Sequence, residues 1–177
     1  ALIVYSGHAY VAYYIFASGQ QQVIAYCDLQ EKAYNPFNLH YLGPENQVST
    51  LKKLTRYAYF IAIGDNRMRK KIYAYLCTSL FAPINAIHPS AIVSNTVNLG
   101  NGTMIGARAV INPLCSLSNG VICNTACVVE HECTLGNFVH IAPNATLCGN
   151  VSIGDGTFVG ANAVIKQGIT IGKNVCI

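Results

Sequence analysis

A chain of 177 residues can hold one medium domain or two small ones, and its 52% hydrophobic against 10% charged composition is low in charge for a soluble monomer. No run of eighteen apolar residues exists to span or enter a membrane. The net charge of +4 comes with eight of eleven basic residues before position 72 and no aromatic-basic stripe, which argues against a nucleic-acid partner.

The opening ALIVYSGHAY lacks a basic n-region and a cleavage site, so it reads as a strand and favours a cytoplasmic location. The patterns that follow predict strands at 2–5, 23–27 and 59–63 and helices at 9–18 and from about 67 to 80. Strands alternating with helices imply a small parallel α/β sheet, a Rossmann-like subdomain, whose ligands lie beyond the carboxyl ends of the strands. Ser6-Gly7-His8, Asp28 and Gly64-Asp65-Asn66 all follow strand ends and are expected to converge on one crevice. Ser6-Gly7-His8 can cradle a phosphate at a helix N-terminus or be an ordinary strand-to-helix turn. Asp28 can accept from a ribose or a base, or cap a loop. Asn66 can bind ligand, or N-cap the helix after it.

All eleven tyrosines fall between Tyr5 and Tyr75, and Pro83 and Pro89 flank the break, which sets a boundary near 82–87. The expected division is a small βαβ unit at 1–82 and a hexad-repeat unit at 87–177. In the second unit sixteen positions spaced six apart, from Ile87 to Ile177, are aliphatic except Cys123. The fifth member of each hexad is small or β-branched, as in Ala91, Thr103, Cys115, Val139 and Ala163. Neither a helix nor an ordinary strand gives a strict six, whereas a triangular parallel β-solenoid does, with one large residue inward per side and a small one at each corner. Fifteen hexads make five coils. Gly100, Gly106, Gly136, Gly154, Gly160 and Gly172 recur at turns where positive φ is expected. The chain stops in register at Ile177, and further coils or a tail are expected beyond it.

Charged residues are sparse in the solenoid, yet Glu130 and Glu132 flank His131. An imidazole between carboxylates suits a general base, because the negative neighbours favour the protonated ring; the alternative is a solvated strand edge. In an extended strand His131 and Glu132 would point apart, so if Glu132 orients His131 the chain must turn there. His140 lies half a coil on, on another side of the prism, and is either structural or ligand-binding. The two imidazoles therefore meet around a corner or, better matched to the spacing, across a cleft between neighbouring subunits. The eight cysteines show no CxxC pair and read as core filler in a reducing compartment. With His88 more than two coils away, two well-placed histidines are too few for a catalytic zinc, and no metal is expected.

Three stretches carry a resemblance. They are Phe60-Ile61-Ala62-Ile63-Gly64-Asp65-Asn66 with Arg69-Lys70-Lys71-Ile72, then Ile87-His88-Pro89-Ser90-Ala91, and finally Asn124-Thr125 through Val129-Glu130-His131-Glu132-Cys133, Leu135-Gly136-Asn137-Phe138-Val139-His140 and Gly149-Asn150-Val151. With them the chain resembles the bacterial nucleotide-sugar N-acetyltransferases that acetylate a UDP-linked 4-amino-sugar, as in bacillosamine synthesis, within the sialic-acid O-acetyltransferase-like hexapeptide-repeat group. The resemblance implies a left-handed parallel β-helix, a homotrimer, acetyl-CoA as cosubstrate and direct attack without an acyl-enzyme. It implies His131 as general base supported by Glu132, and Asn124 against the sugar. It sets His140 and the Gly149 backbone beside the thioester, and Ala161 along the pantetheine groove. It implies Gly7, His8 and Asp28 on the UDP moiety, with Asp65 and Asn66 nearby. The chain departs from the pattern at Tyr5-Ser6, two residues short, and at Asp28-Leu29, where relatives often pair two acids. The rival readings are sugar O-acetylation on the same scaffold and a non-catalytic nucleotide-binding trimer.

Overall fold

Apolar residues alternate across four short parallel strands, Leu2–Ile3 (β1), Ala25–Cys27 (β2), His40–Tyr41 (β3) and Phe60–Ile61 (β4), in a computed structural model that describes residues 1–177. The sheet order is β3-β2-β1-β4. Leu2, Tyr26 and Phe60 line one face, and Ile3, Ala25, Cys27 and Ile61 line the other. Helix α1 (Gly7–Ser18) covers the first face through Ala9, Ala12, Ile15 and Phe16. Helices α2 (Val48–Leu54) and α3 (Asn66–Leu76) bring Leu51, Leu54 and Leu76 to the second. This is the expected Rossmann-like arrangement, with shorter strands and a first helix that begins two residues earlier, at Gly7. The unforeseen β3 and α2 are too short to print a hydrophobic period on the sequence. None of the helices is long and apolar enough to cross a membrane.

From Ala86–Ile87 to Thr170–Ile171, two-residue strands recur every six residues and stack into three parallel sheets of five strands each. The five coils are the expected hexapeptide β-helix. Aliphatic and small hexad positions alike point inside: Leu117, Val129, Leu135 and Ile141 are buried together with Cys115, Cys127, Cys133 and Ala145. The small residues therefore share the core with the large ones and do not merely sit at the corners. Cys115 and Cys133 also donate Sγ–H to the carbonyls of Glu130 (3.0 Å) and Cys148 (3.3 Å), as structural thiols do.

Outward positions give the three sides different characters. Ala86, Met104, Ile122, His140 and Phe158 line one, and its Ala86, Met104 and Ile122 share a core with α1 and the sheet. Helix α1 is thus apolar on two faces because it is packed from two directions. The second side carries Ile92, Val110, Val128, Thr146 and Val164, with Ile92 and Val164 exposed. The third carries Asn98, Ser116, Thr134, Ser152 and Thr170, all polar.

Each turn bends through one left-handed residue, at every sixth position from Gly102 to Asn174, and nine of these thirteen are not glycine. The glycines expected to supply positive φ do not: Gly100, Gly106, Gly136, Gly154, Gly160 and Gly172 all lack it. What most of them provide is room. A Cβ on Gly136 would stand 2.7 Å from the backbone nitrogen of Asp155 on the next coil, and one on Gly106 2.8 Å from that of Thr125.

Candidate active site

The segments after β1 and β4 converge on one crevice, whereas Asp28, after β2, does not line it. The β1–α1 turn brings His8 against Gly64, where a Cβ would lie 3.1 Å from the His8 Nδ1. Beside it, a cavity of about 490 Å³ is lined by Gly64, Asp65, Asn66 and His140 with Gly156 and Phe158 of the solenoid. Gly7 faces open space. The His8 Nε2 is buried without a partner.

His140 is buried where the sheet unit meets the solenoid. Its Nδ1–H donates to the Gly64 carbonyl (3.3 Å), leaving Nε2 to accept from the Asn124 side-chain amide (3.2 Å). Burial, then the positive charge of Arg69, pushes its pKa down to about 4, so the ring is neutral at pH 7. Asn124 is held in turn by its Oδ1, which accepts from the Thr125 N–H (2.8 Å).

His131 stands at the corner between the apolar and the polar side. Glu132 adopts φ 62°, the turn that brings its carboxylate round to His131. The His131 Nδ1–H donates to Glu132 Oε2 (2.9 Å), with the two side chains 52% and 57% exposed. This fixes the tautomer and leaves Nε2 as a free acceptor. The ring lies against the next coil at Gly149, where a Cβ would fall 2.6 Å from Nε2. A neutral imidazole with its far nitrogen free and its near one on a carboxylate can take a proton from an attacking nucleophile.

The sequence-predicted residues thus fall into groups. His8, Asp65, Asn66, His140 and Asn124 gather at the crevice, and His131, Glu132 and Gly149 at one corner. Ala161 lies exposed at the opposite corner of the apolar side, on the same stack as Thr125 and Pro143. His131 and His140 keep to different sides of the prism, as their spacing implies. Asp28 turns inward, accepting the Tyr5 N–H (2.9 Å) and pairing with Lys32 (3.1 Å), so it braces the β1–α1 turn. Asp65, not Asn66, is the N-cap of α3, accepting the Met68 N–H (2.7 Å). The Asn66 amide reaches across to the carbonyls of Gly156 (3.0 Å) and Thr157 (3.2 Å).

Sequence reasoning missed Arg69, 1% exposed and the largest fully buried side chain. The signal was there: Arg69 shares the helical stripe of Ile72, Tyr73 and Leu76, where an apolar residue belongs. No group of three or more His, Cys, Asp or Glu lies together in metal-binding fashion.

Residues 1–76 match the family model for the PglD N-terminal domain, and residues 150–177 match that for the bacterial transferase hexapeptide (six repeats). The chain is 35% identical over 94 residues to the UDP-N-acetylbacillosamine N-acetyltransferase of Bacillus subtilis (strain 168), an alignment spanning 52% of this chain and 44% of that enzyme. The acetyltransferase domain of PglB from Neisseria gonorrhoeae FA1090, solved in complex with acetyl coenzyme A, superposes with a TM-score of 0.91 at 32% identity, covering 99% of this chain and 85% of that one. PerB from Caulobacter crescentus, solved with CoA and GDP-perosamine, gives 0.90 at 34% identity, covering 99% and 83%.

Proposed function

The chain belongs to the hexapeptide-repeat nucleotide-sugar N-acetyltransferases built on a PglD-type N-terminal domain, and on that premise we propose that it moves the acetyl group of acetyl-CoA onto the amine of a UDP-linked 4-amino-sugar. In this reading residues 1–82 hold the nucleotide, 87–177 carry the transfer, and three copies work together in the cytoplasm for surface-glycan synthesis. Eight free cysteines suit that reducing compartment.

The observation that carries the reading is the His131–Glu132 pair at 2.9 Å with Nε2 free. The amine nitrogen attacks the thioester carbonyl carbon directly. His131 Nε2 takes the proton, Glu132 steadies the imidazolium, the C–S bond breaks and coenzyme A leaves as the thiolate, which is then protonated. A backbone N–H near Gly149 is suited to the oxyanion of the tetrahedral intermediate.

Placing this chemistry between copies rests on the apolar side. His131 borders one of its edges, while Asn124 and Ala161 border the other, so in one chain they stand apart. Ile92, Val110, Val128 and Val164 give that side a reason to be covered. A neighbouring copy laid along it brings one chain's imidazole to the other's Asn124 corner.

The test measures thiol release from acetyl-CoA with a panel of nucleotide-linked amino-sugars. Turnover of a UDP-4-amino-sugar is expected, with His131→Ala lowering kcat by about a hundredfold or more. Release only with a hydroxyl acceptor would replace N- with O-acetylation, and an unimpaired His131→Ala would remove His131 as base.

A further inference from the structure

Arg69 sits at the seam between the sheet unit and the solenoid with every N–H used. Its Nε donates to the Gly120 carbonyl (2.8 Å), one terminal nitrogen to those of Ile63 (3.0 Å) and Gly64 (2.9 Å), the other to Asn66 Oδ1 (2.7 Å) and the Phe138 carbonyl (3.0 Å). No carboxylate pairs with it. Burial, only partly offset by the charge of Asp65, pushes its pKa down to about 9, and an apolar side chain of equal length would fill the space without that penalty. What an apolar side chain cannot do is hold four carbonyls from two parts of the molecule in one plane.

Two of those carbonyls, Gly120 and Phe138, belong to successive coils of the solenoid, and two, Ile63 and Gly64, lie just beyond β4. Gly64 O also receives the His140 Nδ1–H. One oxygen therefore ties together the guanidinium, the floor of the crevice and the histidine that faces Asn124. Asn66 repeats the pattern: it accepts from Arg69 and donates to Gly156 and Thr157.

We propose that Arg69 is a positioning residue that registers the nucleotide-binding crevice against the coils and, through the Gly64 carbonyl, holds His140 with Nε2 turned to Asn124. The kinetic half rests on the nucleotide-sugar reading above; the imidazole half does not. Because Arg69 braces the crevice directly and reaches the acetyl-donor side only through His140, its loss falls first on the nucleotide-sugar.

The experiment compares wild type, Arg69→Met and Arg69→Lys by thermal melting, by the KM of each substrate, and by long-range 1H–15N NMR of the His140 ring. Wild type is expected to show the Nδ1–H tautomer. Arg69→Met is expected to raise the nucleotide-sugar KM about tenfold or more, to leave the acetyl-CoA KM within about twofold, and to populate the Nε2–H tautomer. Arg69→Lys, which keeps the charge and most of the packing, shifts the same readouts in the same direction and stands in if the methionine variant does not fold. An Nε2–H tautomer in wild type overturns the proposal outright. So does a folded variant whose tautomer stays fixed or whose two KM values move together. Should no nucleotide-linked amino-sugar react, the functional reading falls, and the tautomer in wild type and variants still decides the role of Arg69.

Discussion

A hydrogen atom at Gly149 is what lets His131 lie against the coil. A Cβ there would stand 2.5 Å from Cε1 of the ring, and the half-exposed imidazole is free to swing away into solvent. Gly149 lacks positive φ, so alanine fits its backbone and narrows the unfolded ensemble. Gly149→Ala is accordingly expected to change stability by no more than about 1 kcal/mol while lowering kcat about tenfold or more, since the displaced ring loses Glu132. Thermal melting and steady-state kinetics on the same sample check both halves; full activity would mean that the ring's resting place is irrelevant to the reaction. The polar pattern Glu130-His131-Glu132 exposed this site in the sequence because solenoid charges are so few. The internal braces were harder to read, since buried Asp28 and Arg69 and half-buried Asn66 bind backbone carbonyls and amides whose positions exist only after folding.

At the scale of the element, the strict six made the coils legible, because every inward side chain must meet its copy one coil away. The turns were not, because their left-handed residue is set by stacking and is filled by Phe138, Ala126, Leu114 and Arg108 as readily as by glycine. Each non-glycine residue held there costs about 1–2 kcal/mol, least for asparagine, whose short amide tolerates the conformation. Asn144 and Asn162 already occupy this position on the same corner as Arg108, which is exposed at φ 57°. Arg108→Asn is therefore expected to stabilise the fold by about 1 kcal/mol, read as a higher urea midpoint at unchanged m. A lower midpoint would show that the arginine stem contributes packing beyond its backbone. The placing of helices α2 and α3, the second of which the sequence did announce, illustrates the opposite limit. Their placement depends on the sheet they cover, and α2 is too short for its own pattern to announce it.

The whole molecule is two architectures joined by a shared apolar core around α1 and by a polar seam beside it, and its response to acid follows from what that seam buries. In the folded protein the His140 pKa is lowered from 6.5 to about 4, first by burial and then by Arg69 and His8, and His8 is lowered too by burial and Arg69. The unfolded chain takes up these protons near pH 6.5, whereas the folded one keeps His140 neutral until about pH 4 and holds His8 below its ordinary range. Their contribution to stability is thus complete above pH 6.5 and is lost as pH falls through that window, on the order of 3 kcal/mol for His140 alone. Buried Glu45 tilts the other way: its pKa is raised above 4.5 by burial, so it favours the folded state in acid and loses that contribution as pH rises. The net slope mixes the two signs, and a variant is needed to separate them. His140→Asn keeps an amide at the seam but has nothing to titrate. Wild-type melting temperature is expected to fall between pH 6.5 and 4.5 more steeply than that of His140→Asn, and the two curves to run parallel above pH 7. Equal slopes throughout would mean that His140 takes its proton without leaving the Gly64 carbonyl, and that the seam tolerates a second cation beside Arg69.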